Sequence, residues 1–151
     1  MKWITWLMVT LILIRAVYTD RKEGRIENRV ILMGLFLGLS LSFADGGLLS
    51  LFESIKMAGI TLLALFFLYV IKGLGAGDIK LFCVLATFFP EEIILVVIVS
   101  FFAGGILAVG KMLWRWLKKD RIFIRHETMN FSLPIAVGTE MVLFLRCLKG
   151  M

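Results

Sequence analysis

The stretch Ile93–Gly110 reads IILVVIVSFFAGGILAVG, a run without a charged side chain. Coiled as a helix it has no polar face to turn toward water, so it belongs in lipid or in a fully buried core. A second run, Thr61–Ile71, reads TLLALFFLYVI and makes the same demand. Hydrophobic residues make up 60% of the 151-residue chain, where a soluble domain is nearer half. Several such runs in so short a chain leave too little polar surface to wrap a water-soluble core. The expected fold class is an all-α membrane protein. It would be a polytopic bundle of about six transmembrane helices, a single membrane-embedded domain over residues 1–151, with no soluble domain attached.

On either side of this stretch the chain divides into apolar runs. They are Trp3 to Thr19 (interrupted by Arg15), Asn28 to about Ala44, Ser54 to Ile71, Ile79 to Phe89, Ile93 to Leu113, and Phe131 to Leu148. The second extends to Phe52 if Asp45 is tolerated. The fourth is shorter than the roughly 20 residues a span requires, and the charges between runs argue for it. The first gap carries Arg21, Lys22, Arg25 and Arg29; the second carries Asp45 and Glu53, with Lys56 just inside the third run. The third gap carries Lys72 and Lys80, the fourth Glu91 and Glu92, and the fifth Arg115, Lys118, Lys119, Arg121 and Arg125. Basic and acidic gaps alternate, which under the positive-inside rule gives six crossings with both termini outside. Lys2, Arg146 and Lys149 speak against external termini. A fourth run that failed to cross would put the most basic gap outside, so it is expected to cross as a short span shielded by neighbouring helices or by a thinned bilayer.

Arg15 breaks the first apolar run, and no small-x-small cleavage site follows it, so the run is expected to be a retained helix and not a secretory leader. The net charge of +6 sits in short gaps between apolar runs. That arrangement suits anionic lipid headgroups and offers no site for nucleic acid. Cys83 and Cys147 lie inside apolar runs with no CxxC and no neighbouring histidine, so packing is their expected role. No metal and no cofactor is expected.

Carboxylates near membrane depth are costly and are therefore the candidates for function. Asp78 follows Gly73, Gly75 and Gly77 at the mouth of the fourth run. Local spacing alone fits a flexible turn with Asp78 capping the fourth helix. It fits equally a glycine-lined approach by which a substrate backbone reaches a carboxylate. Asp20 ends the first run on the same predicted side of the membrane. Taken singly it reads as a solvated loop charge. Two carboxyls at one face and depth are what acid–base peptide hydrolysis needs, one to deprotonate water and one to donate a proton.

Gly75-Ala76-Gly77-Asp78-Ile79-Lys80-Leu81 resembles the GxGD-x-K-L signature of the type IV prepilin peptidases, the GxGD intramembrane aspartyl proteases. In that family the first aspartate commonly opens D-x5-I-P-N. Here Asp20 is followed by Ile26, Glu27 and Asn28, with Glu27 in place of the proline. Ser132 to Gly138 is similar to the Pro-containing opening of the family's last span, through Pro134. The resemblance covers about residues 15 to 148. Its size suits the short members associated with tight-adherence pilus systems, with archaeal preflagellin peptidases close behind. The resemblance implies that Asp20 and Asp78 are catalytic. It also implies that Gly75, Gly77, Lys80 and Asn28 shape the loop or bind substrate. The substrate would be a prepilin or pseudopilin whose leader is cut, typically after a glycine, at the cytoplasmic edge of the cell membrane. Larger members carry a zinc-binding CxxC insertion and methylate the new terminus; without that insertion, methylation is not expected here. Lys80 would meet a substrate glutamate or a lipid phosphate, or snorkel.

His126 is the chain's single histidine and falls in the basic fifth gap, so zincin and rhomboid-type serine chemistry lack support. A different class of reading is a non-catalytic membrane scaffold or small transporter, with Arg15 and Asp20 paired along one helix; cleavage of a prepilin-like peptide discriminates. Glu140, within the sixth run, needs a partner or a proton at that depth. Arg15 is the expected partner, joining the first and sixth spans. The oligomeric state is not legible.

Overall fold

The computed structural model describes residues 2–117 and 131–149. Its described elements are five helices: α1 Lys2–Glu23, α2 Asn28–Val70, α3 Ala76–Phe88, α4 Ile93–Leu117 and α5 Ser132–Lys149. Three stretches are long and apolar enough to cross a membrane: Trp3–Glu23, Asn28–Val70 and Ile93–Trp114. Much of the fifth gap, with His126, lies outside the described residues.

The 43 residues of α2 are not one rod. Gly46 and Gly47 leave helical geometry, and Gly47 has φ 64° and ψ −150°, a region closed to side chains with a Cβ. The Ser42 and Ser54 hydroxyls meet at 2.8 Å; in a straight helix their Cα atoms would stand about 18 Å apart. The chain therefore turns back at the glycine pair. Residues 28–45 and 48–70 are the two limbs of a helical hairpin, and they match the second and third apolar runs. The loop expected around Asp45 and Glu53 is a tight glycine turn.

α3 is 13 residues long, about 20 Å against a hydrocarbon layer of about 30 Å. It is also the most enclosed element: Leu81, Phe82, Val84 and Leu85 are fully buried. The first limb of α2 comes close enough that a Cβ on Gly34 would lie 2.6 Å from Val84 Cγ1. Ser42 donates to the Thr87 carbonyl at 2.9 Å, so the Ser54 hydroxyl donates in turn to Ser42. The shielding expected of the short fourth run is present as packing.

α4 and α5 pack backbone to backbone at Gly138, where a Cβ would fall 2.8 Å from the Ser100 Cα. Small residues at helix contacts are how bundles in lipid gain close packing without a hydrophobic driving force between helices. The outer surface is apolar: Leu7, Leu11, Phe36, Leu63, Phe102 and Ile106 are all exposed. An apolar exterior of this extent suits lipid and not water.

The expected Arg15–Glu140 pair does not form. Trp6 Nε1 donates to Glu140 Oε2 at 2.8 Å and Thr10 Oγ1 to Oε1 at 2.7 Å. Arg15 is exposed and reaches Glu27 instead, at 3.7 Å. Trp6 and Thr10 are four apart and share one face of α1, whereas Arg15 lies about 140° around the helix from Thr10. Glu140 does join α1 to α5, through neutral donors. At the other end of α5, Arg146 pairs with Glu92 at 3.0 Å and closes the α3–α4 turn.

Candidate active site

The site forms where α1 ends and α3 begins. α1 runs out just past Asp20, whose carbonyl accepts from Gly24 N–H at 2.9 Å. Gly24 has φ 67°, the left-handed turn that commonly closes a helix. The chain then passes the buried Ile26 into α2. The first turn of α3 lies against this corner: a Cβ on Gly77 would be 3.4 Å from Ile26 Cβ. Gly77 thus fits where a larger residue would push α3 away from the α1–α2 turn.

Asp78 occupies the third position of the α3 first turn and not the cap, which is Gly75. Its Oδ2 accepts from Gly75 N–H at 3.3 Å. A Cβ on Gly75 would stand 3.0 Å from that oxygen. Both Asp20 and Asp78 are buried, at 6% and 8% exposure. The first turn of α5 delivers Ser132, itself fully buried, whose hydroxyl donates to Asp20 Oδ2.

The motifs around the two aspartates also meet. Lys80 Nζ donates to Asn28 Oδ1 at 3.1 Å across 52 residues of chain. Lys80 is thereby engaged in joining the α2 start to α3. Glu27, standing where the family pattern has proline, holds the α2 start to α1 through Arg15. Pro134 is buried in the first turn of α5, where an absent N–H costs nothing; a Cβ on Gly104 of α4 would lie 3.5 Å from it.

Asp78 stands ahead of the apolar run of its helix, at the polar mouth and outside the run itself. Burial pushes its pKa from 3.8 up to about 6. The Asp20 charge acts in the same direction, and the Gly75 N–H acts against both. The two carboxyls are therefore electrostatically coupled. Burial and the neighbouring charge thus both favour the protonated form of Asp78.

Of the residues singled out from sequence, Asp20, Asp78, Gly75, Gly77, Lys80 and Asn28 gather at this corner. Glu140 lies along the α1–α5 contact, beyond hydrogen-bonding reach of it. Cys83 is buried in α3 as a packing residue. Ser132 is the member that sequence reasoning left without a role; a serine opening the last span two residues before Pro134 was its one available sign.

Fold and site together define a helical bundle apolar enough for lipid, carrying a coupled pair of buried carboxyls at one edge. The model of the type IV leader peptidase family matches residues 7–109, and the chain belongs to that family. The matched segment includes Asp20, Asn28, Asp78 and Lys80 and ends before α5. No curated protein and no solved structure matches the chain.

Proposed function

We propose that this chain is an aspartyl leader peptidase that removes the leader from a prepilin or pseudopilin at the cytoplasmic edge of the cell membrane. The observation that supports it most is the coupling of the buried Asp20 and Asp78. Among the described residues the corner holds no histidine to activate a nucleophilic side chain, so water is the attacking group. One carboxylate takes a proton from water as it adds to the scissile carbonyl. The other carboxyl gives its proton to the departing amine. No cofactor is required by this chemistry.

In this reading α1, both limbs of α2, α3, α4 and α5 are six crossings, with the Asp20 corner inside and the Gly46–Gly47 turn outside. The substrate's own apolar helix packs in lipid beside the bundle and brings its leader to the corner. Leader and loops are both basic, so attraction comes from anionic lipid, from a carboxylate on the substrate, or from backbone pairing.

The test is the initial rate of cleavage of a prepilin-like peptide by purified variants whose folding is checked separately. Asp20→Asn and Asp78→Asn should each abolish cleavage, and the double variant should be no worse, as for residues acting as a unit. Glutamate at either place should also fail, because a methylene displaces the carboxyl beyond catalytic tolerance. Near-normal cleavage by folded Asp20→Asn would reduce Asp20 to a loop charge and overturn the dyad.

A further inference from the structure

A serine in the opening turn of a helix ordinarily turns its oxygen to the free N–H groups of that turn. Ser132 does otherwise. Its hydroxyl has one proton to give, and it gives that proton to Asp20 Oδ2 across 112 residues of chain. Both residues are buried, so water does not compete for the bond, and nothing local in the sequence imposes it. The same geometry brings the positive end of the α5 backbone dipole to the side of Asp20.

We infer that Ser132 is a positioning residue for the dyad, fixing the Asp20 carboxyl in the orientation from which it meets the attacking water. This rests on the peptidase reading above. The two carboxyls are held by different partners: Asp20 by a hydroxyl delivered from α5, Asp78 by the Gly75 N–H of its own helix turn at 3.3 Å. Asp20 therefore depends for its orientation on a distant segment, and Asp78 on a local one.

The experiment compares purified full-length wild type, Ser132→Ala, Ser132→Cys and Ser132→Thr on a prepilin-like peptide. Cysteine keeps the shape with a far weaker donor, and threonine keeps the hydroxyl. Ser132→Ala and Ser132→Cys should lower kcat by roughly 10- to 100-fold, the usual cost of losing the outer partner of a site ligand, with KM little changed. Ser132→Thr should restore kcat to near the wild-type value. If the wild type cuts and kcat is unchanged in both folded Ala and Cys variants, Ser132 is only packing and the inference falls alone. A folded wild type that cuts no such peptide overturns the peptidase reading and this inference with it.

Discussion

The indole N–H of Trp6 donates to the Glu140 carboxylate at 2.8 Å across 134 residues of chain, and Thr10 takes the other oxygen. Glutamine offers one carbonyl oxygen where the glutamate offers two acceptors, so Glu140→Gln leaves one donor facing an amide NH2. The expected loss is about 1–3 kcal/mol, read as a lower melting temperature in detergent with a shifted tryptophan emission. Cleavage per folded molecule should be retained. An unchanged melting temperature with abolished cleavage would instead place Glu140 in the catalytic machinery.

Asp78 gives stability a defined pH dependence. Its proton is held more tightly in the folded chain, to about 6, than at the ordinary 3.8. The stability it confers is full below the ordinary value and is lost as pH rises through the folded one. The wild-type melting temperature should therefore fall across that window. Asp78→Asn should lack that fall and melt above wild type at neutral pH. Parallel curves for the two proteins would show that the Asp78 carboxyl is solvated.

Gly138 allows α4 and α5 to touch at the backbone, with Ser100 N placed 2.7 Å from where a Cβ would stand. A backbone atom cannot swing aside, so Gly138→Ala must separate the helices. The expected cost is about 1–3 kcal/mol or more. Gly105→Ala, on a face of α4 with open space beside it, should melt like wild type. Equal melting temperatures for the two variants would contradict the close crossing.

The proposed six crossings predict a membrane orientation that reporters can read. Fusions after Lys22, Gly75 and Lys119 should report cytoplasm, and those after Gly46 and Glu91 should report outside. The Ser42–Thr87 bond places the Gly46 turn at the same end of the bundle as the α3–α4 turn, in keeping with this parity. A Glu91 fusion reporting cytoplasm would mean that α3 does not cross.

What could be read from the sequence was what is one-dimensional. Apolar run length and gap charge located the helices within a few residues, since hydropathy and charge act wherever the chain sits. Asp20 and Asp78 stood out because carboxyls beside lipid are costly. What escaped depends on direction around a helix and on contacts between distant segments. Arg15 lies beyond Thr10 along α1 and about 140° around it, so it faces away from Glu140, and a long cationic side chain gains by reaching water. The fold-back between the second and third runs was legible from the charges Asp45 and Glu53, but its place at Gly46 and Gly47 was not, because backbone geometry and not charge sets the turn. Ser132 lies so far from Asp20 in sequence that no local pattern links them.

The clasp on Asp20 has a consequence for how the protein is made. At roughly 5–20 residues per second, the 112 residues between Asp20 and Ser132 take roughly 6 to 22 seconds to synthesise. Throughout that interval the first acid is already in the membrane without the hydroxyl that would ready it. On the proposed reading, a chain still lacking α5 would cut more slowly than the finished one, and the docking of the last helix would complete the site.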